Sequence, residues 1–248
     1  LGASTTEAQE NVALQVAEQM SDYLLTGAVT NALNMPSVTA EEAMVMGPWV
    51  KLAEHLGAFV GQLTDEPIES IAITYDGHAA QLNLDALGCA VIAGVMKASN
   101  PDVNMVSAPL QAANRGIKIS RTTQAKTGVF DGYVKLTVKT PSKERSIAGT
   151  VFSDGKPRFI QIKGINIDAE IGAHMLYTTN QDMPGMIGTL GGTLGENGVN
   201  IANFTLGRSE VGKDAIALLY VDGRVPDNVL EKLKATGLFQ QVRPLAFD

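Results

Sequence analysis

Cysteine, tryptophan and histidine are scarce in this sequence, and so are unbroken hydrophobic runs and blocks of positive charge. Cys89 is the sole cysteine of 248 residues, which rules out a disulfide within the chain. Set in the apolar run "ALGCAVIAGVM", it reads as a buried, inert thiol, and such usage suits a reducing, cytoplasmic setting. That run, Ala86 to Met96, is the longest apolar stretch and falls far short of the roughly 20 residues a membrane-spanning helix needs. No basic segment leads into an apolar one at the start, where a secretory signal would show. With a formal net charge of -7 and no Lys/Arg block, the chain would be repelled by a nucleic-acid backbone or an anionic membrane, which excludes both as partners. His55, His78 and His174 stand far apart with no second ligand nearby, so no metal site is expected. No Gly-x-Ser-x-Gly or Ser-x-x-Lys nucleophile motif occurs.

What is present, 45% hydrophobic residues, suffices for two ordinary cores. The chain opens on Leu1 and runs at once into a helix signal, so its start reads as a cut through a longer protein. Ser4 and Glu7 have capping-box spacing, and Val12, Val16, Met20 and Leu24 follow as one apolar stripe, predicting a helix from about Thr5 to Leu25 that Gly27 stops. Residues 27–38 are rich in small and turn-forming types around Pro36 and read as a linker. Thr39 then caps a second helix whose first turn carries Glu41 and Glu42; Gly47 and Pro48 are expected to break or kink it. Trp49, Leu52, Leu56 and Phe59 on that helix read as core.

From Pro67 the period changes to two. Ile71, Ile73 and Tyr75 make one strand; Val134, Leu136 and Val138 make another; "RSIAGTVF" and "PRFIQIKG" supply two more around the turn "SDGK". Leu84 to Met96 and Ala108 to Asn114 read as helices. Residues 37–172 thus form one α/β domain with an antiparallel-rich sheet. Strands at 174–179, 199–206, 215–221 and 239–245, with helices after the first and third, give the remainder the ferredoxin-like order βαββαβ.

The first helix of that second unit is rich in glycine: "NQDMPGMIGTLGGTLGENGVN". A phosphate loop does not fit, because no Lys lies between Lys163 and Lys213, and the stretch holds no Gly-x-Gly for a dinucleotide turn. A helix fits: Met183, Met186, Ile187, Leu190 and Leu194 form an apolar face, and Gly188, Gly191, Gly192 and Gly195 a second stripe. Each glycine costs roughly 1 kcal/mol relative to alanine in a helix interior. The stripe therefore implies close backbone approach, either by the domain's own sheet or by a second subunit. At its start Asp182, Pro184 and Gly185 make a turn whose free amides suit a carboxylate, with Asp182 placed for an ammonium group. Asn180 ends the strand before it and Asn200 begins the strand after it, so both are expected beside the helix start. The set suits a zwitterionic amino acid; the plainer reading makes these turn and cap residues.

At these residues the sequence resembles the ACT domain, a small ligand-binding regulatory module. Along its whole length it is similar to the C-terminal part of long-type bacterial D-3-phosphoglycerate dehydrogenases. "LGASTTEAQENVALQVAEQMSDYL" is similar to the end of their catalytic region, residues 37–172 to their intervening domain, and "DMPGMIGTLGGTLGENGVNIAN" to their ACT core. The resemblance implies residues 1–36 as the end of the catalytic region with its linker, and 173–248 as the ACT domain. It implies a parent that oxidises 3-phosphoglycerate with NAD in serine synthesis and is inhibited by L-serine bound between ACT domains of a homodimer or homotetramer. Asn180, Asp182 and Asn200 stand at the serine-contacting positions, with Pro184 and Gly185 shaping the turn. The family's catalytic His precedes "LGAST", so this chain is expected to bind no NAD and to be inactive alone, with the linker transmitting the effector's signal.

In some relatives the intervening domain holds an anion site of Lys and Arg side chains. Arg158 stands at one matching position, but Ile165 and Glu170 occupy two others; Lys51, Arg121, Arg145, Arg158 and Lys163 are the cations available to cluster or to line wet strand faces. Two other readings stay open. The chain is an oligomerisation module without an effector, or the regulatory part of an iron–sulfur serine dehydratase; a single cysteine counts against a cluster.

Overall fold

The structure, a computed structural model, describes residues 5–34, 36–126 and 128–247. Helix α1 (Thr6–Thr26) is capped by Thr5, whose hydroxyl accepts from the Ala8 amide at 3.2 Å; Ser4 lies outside the described residues. Gly27, at φ 78°, ends it by donating its amide to the Tyr23 carbonyl. None of its residues is buried, and the stripe Val12, Val16, Met20 and Leu24 faces outward. The segment expected as a linker is docked instead. Val29 and Val38 exchange two backbone hydrogen bonds of 2.7 Å, and both side chains are buried along with Ala28.

Helix α2 (Ala40–Gln62) opens on a full capping box, with the Glu42 amide donating to the Thr39 hydroxyl and the Thr39 amide to Glu42 Oε2 at 2.8 Å. The expected break at Gly47 and Pro48 does not occur, and the helix runs on through Pro48. It packs on the sheet and on α3 (Leu84–Lys97), a helix apolar all round and buried accordingly. The closeness of that helix pair rests on glycines the sequence does not advertise. A Cβ on Gly57 would strike the Val91 carbonyl and come within 2.7 Å of the Val95 amide, and one on Gly94 would strike the Glu54 carbonyl.

The first sheet holds β1 (Ser70–Gly77), β2 (Lys118–Gln124), β3 (Gly132–Lys139), β4 (Glu144–Val151), β5 (Pro157–Ile162) and β6 (Ile165–Glu170) in the order β2-β1-β3-β4-β5-β6. β1 and β2 are parallel, joined through α3 and the short α4 (Ala108–Asn114); the other pairs are antiparallel. The sequence reading missed the two edge strands. β2, "KISRTTQ", is almost wholly exposed and shows no buried alternation, which is how an edge strand avoids becoming sticky.

The second sheet joins β7 (His174–Gln181), β8 (Ile201–Arg208), β9 (Asp214–Val221) and β10 (Phe239–Ala246) in the order β10-β7-β9-β8, antiparallel throughout. With α5 (Met186–Glu196) after β7 and α6 (Asp227–Ala235) after β9, this is the ferredoxin-like βαββαβ fold. Both helices cover one face, burying Leu190, Leu194, Val229 and Leu233 against Leu176, Leu219 and Val242. The other face, with Met175, Tyr177, Ile216 and Leu218, belongs to the same apolar cluster as α2 and the first sheet. Phe59 of α2 sits edge-on to both Phe159 (5.5 Å) and Tyr177 (5.3 Å), one from each sheet. The two sheets therefore share a core.

Candidate effector site

The site is built where β7 runs out toward α5. Gly185 takes φ 91°, a left-handed value that glycine adopts without penalty, and it starts α5 with no side-chain cap, leaving first-turn amides to other partners. Asp182 is firmly held: its amide donates to the Lys213 carbonyl at 2.7 Å, and its Oδ2 accepts from the Gly212 amide (3.2 Å) and Arg208 Nη1 (3.0 Å). The Gly212 amide, then the Arg208 hydrogen bond and charge, hold its carboxyl below the usual aspartate range, so it is ionised at neutral pH. Asp182, expected to receive an ammonium group, therefore also holds its own neighbouring turn in place. One oxygen already serves the β8–β9 turn, and Oδ1 is the atom left for a ligand.

Asn180 is 1% exposed; its Nδ2 donates to the Gln181 carbonyl, and its Oδ1 is buried without a hydrogen-bond partner. Such an orphan acceptor is costly unless something is there to donate to it. Pro184 and Gly185 form the exposed turn between these residues and the helix. Asn200 is elsewhere. Its Nδ2 donates to Asp222 Oδ2 at 2.7 Å, at the end of the sheet where Met175 pairs with Tyr220, whereas Asn180 pairs with Ala215 at the other end. The expectation that both asparagines flank the helix start fails within one chain because the α5 crossover returns β8 to the beginning of β7, roughly 20 Å of strand away.

The glycine stripe also departs from one of its two readings. A Cβ on Gly188, Gly191, Gly192 or Gly195 would meet nothing within 4 Å, so the domain's own sheet is not what the stripe accommodates. Met186, Leu190 and Leu194 are buried, while Met183 and Ile187, expected on the same face, are about half exposed at 47% and 53%. Turned outward, Ile187 and the glycines leave one side of α5 uncovered.

The five cations do not form one cluster. Lys51 is exposed on α2; Arg121, on edge strand β2, pairs with Asp85; Arg158 lies over the Phe152 ring 3.6 Å from Asp168. Arg145 and Lys163 do come together, with Lys143, which the sequence reading passed over. Arg208 and Gly212 were missed as well. The only sequence signal for them was the turn "SEVGKD", where Gly212 at φ 75° turns its amide toward Asp182.

An α/β unit sharing its core with a ferredoxin-like unit, whose first helix has a polar start and an open glycine side, defines an ACT-bearing regulatory module. Family models agree, matching residues 45–163 to the D-3-phosphoglycerate dehydrogenase intervening domain and residues 174–237 to the ACT domain. Similar proteins include the D-3-phosphoglycerate dehydrogenases of Synechocystis sp. (37% identical, 96% of this chain, 44% of the relative) and Bacillus subtilis (33%, 94% and 45%). That of Methanocaldococcus jannaschii is 33% identical over 94% of this chain and 44% of its own length. The chain pairs the intervening domain found in D-3-phosphoglycerate dehydrogenases with an ACT domain, and it spans less than half the length of these relatives. Among the described residues no helix is long and apolar enough to cross a membrane.

Proposed function

We propose that this chain is the regulatory portion of an NAD-dependent D-3-phosphoglycerate dehydrogenase of serine biosynthesis, and that it binds L-serine between the ACT units of two copies. In this reading residues 1–36 end the catalytic region, 37–172 are the intervening domain and 173–248 the ACT domain. The carrying observation is that Asn180 and Asp182 lie at the start of α5 and Asn200 beyond its end. Two α5 helices packed antiparallel about a two-fold axis would bring Asn200 of the partner subunit against Asn180 and Asp182, twice per dimer. The open glycine side supports that packing, since bare backbone lets helices approach closely.

The chemistry follows from the groups present. A serine carboxylate would take the first-turn amides of α5, where the helix dipole favours negative charge. Its ammonium would face Asp182 Oδ1 and the orphan Asn180 Oδ1, and its hydroxyl the carboxamide of the partner's Asn200. Joining two subunits at both ends of α5, serine would favour one relative orientation of the ACT units, a population shift carried by its better fit to that state. The segment of residues 27–38 is the expected route onward, tied to α3 by Asn83 Nδ2 donating to the Ser37 carbonyl at 2.8 Å.

NAD does not fit these residues. The parallel crossover from β1 to α3 starts "GHAAQLNLD", with one glycine where a dinucleotide turn needs three. Hydride transfer is accordingly assigned to the part of the relatives that this chain does not span, and the chain alone is expected to be inactive. Isothermal titration with L-serine, glycine and L-alanine, beside Asp182→Ala, tests the proposal. Saturable serine binding that the variant loses supports it; no binding to a folded dimer leaves an oligomerisation module.

A further inference from the structure

We propose that the cleft where helices α2, α3 and α4 all end is a second ligand site, separate from the start of α5, and that it takes a zwitterionic amino acid with an apolar side chain. A cavity of about 780 Å³ opens there, inside the roughly 300–1,000 Å³ range of small-molecule sites. Its floor is apolar, made by Val95 and Met96 near the end of α3 and Ile117 ahead of β2, all three buried. Three helix C-termini meet at this cavity, and each carries roughly half a negative charge. The last turns of α2 and α4 hold no basic residue to offset it, and Lys97 in that of α3 is paired with Glu54. Asp65 and Glu66 on the rim add two carboxylates, so the cleft favours an ammonium group and repels a phosphate.

The polar groups left over suit the two ends of an amino acid. Glu66 serves a neighbouring loop: its Oε2 accepts from the Ser142 amide at 3.3 Å and its Oε1 from the Ser142 hydroxyl, and the hydroxyls of Ser142 and then Thr140 hold its carboxyl below the usual glutamate range. Asp65 gives Oδ2 to Arg243, which leaves Oδ1 for a ligand ammonium. Arg115 donates to Ser99 Oγ at 3.0 Å but has no ion-pair partner among the described residues, so its guanidinium is the cation available to a ligand carboxylate. The apolar floor would take the side chain. Each methylene buried on it is worth roughly fourfold in affinity, which makes serine a poor ligand here. The rim belongs to both units: Pro244 of β10 lines it, and Gln62 at the end of α2 exchanges two hydrogen bonds of 2.9 Å with the Ala246 backbone. An occupant would therefore brace the junction of the two sheets, which couples this site to the ACT unit.

Isothermal titration of the 248-residue chain with L-leucine, L-methionine and L-phenylalanine, and with 3-methylbutylamine as leucine without its carboxylate, tests the assignment. Saturable binding of at least one of the three amino acids is expected, weakened at least tenfold in Arg115→Met and unchanged in Asp182→Ala. The bare amine should bind the parent chain at least tenfold more weakly than leucine and should be indifferent to Arg115→Met, a difference that a merely structural role for Arg115 would not produce. Arg115 is exposed, and thermal melts of each variant without ligand confirm that it is folded. Absence of saturable binding of all three amino acids to the folded parent chain overturns the proposal. Binding that Asp182→Ala abolishes and Arg115→Met leaves intact also overturns it, since the ligand would then sit at the start of α5. A serine titration of Arg115→Met keeps the two readings apart: serine bound and the apolar amino acid lost is the expected pair.

Discussion

Asn180 and Asn200 stand at opposite ends of the second sheet, the first paired across to Ala215 and the second bonded to Asp222. A serine site using both needs two chains. Asn180→Ala and Asn200→Ala should each abolish serine binding in homodimers. In a mixed dimer of the two variants, one site loses both asparagines and the other keeps both, so half the binding capacity should return. Titrating the co-expressed, doubly tagged heterodimer checks this. A mixed dimer that binds no serine would mean that the asparagines do not share a site.

The α5 glycines separate monomer stability from assembly. A methyl group on Gly191 meets nothing within 4 Å among the described residues, and alanine is the better helix former by roughly 1 kcal/mol. Gly191→Ala should therefore raise the thermal midpoint of the isolated chain under conditions where it is monomeric. The same methyl would stand between two closely packed α5 helices, so the dimer should weaken about tenfold or more in sedimentation equilibrium. A destabilised monomer would contradict the open geometry.

Opposite behaviour is expected at the α2–α3 contact. At Gly57 and Gly94 the space a Cβ would need is filled by backbone of the facing helix, which cannot rotate away. Gly94→Ala must push the helices apart, at a cost of about 2–3 kcal/mol or more, read by urea denaturation. The comparison with Gly191→Ala, the same substitution with the opposite sign, tests whether each glycine is there for packing within the chain or between chains.

These glycines also indicate how far the sequence could be read. Periodicity gave the βαββαβ order and the first two helices, and cap chemistry the start of α2 at Thr39, because buried alternation and cap chemistry are local. The polar edge strand β2 left no such trace, since only its pairing with β1 makes it a strand. In α5 the glycine stripe was legible as a pattern, but its outward direction depends on which side Leu190 and Leu194 bury, a tertiary fact. Asn200 was misplaced for a topological reason, the return of the chain through α5. Arg208 reaches Asp182 from 26 positions along the chain, and local spacing gives no hint of it.

That Arg208–Asp182 contact gives a pH dependence whose sign is fixed. The folded carboxyl is held below its unfolded value of about 3.9 by the Gly212 amide first and Arg208 second. Its contribution to stability is therefore complete above about pH 4 and is lost as pH falls through the depressed folded value. Asp182→Asn should lower the thermal midpoint at neutral pH, and the difference from the parent chain should vanish in strong acid, where both side chains are neutral. The pair is partly exposed, Arg208 at 54% and Asp182 at 20%, so the effect should be small and should shrink with added salt. The Gly212 amide is the direct reporter, because it donates to the same Oδ2. Its proton resonance should titrate with a midpoint below the ordinary aspartate value, and Arg208→Met should move that midpoint upward while leaving the larger Gly212 contribution in place. A midpoint at or above the ordinary value would mean that the β8–β9 turn does not hold Asp182 in solution, and the carboxylate would then be wholly available to an ammonium group.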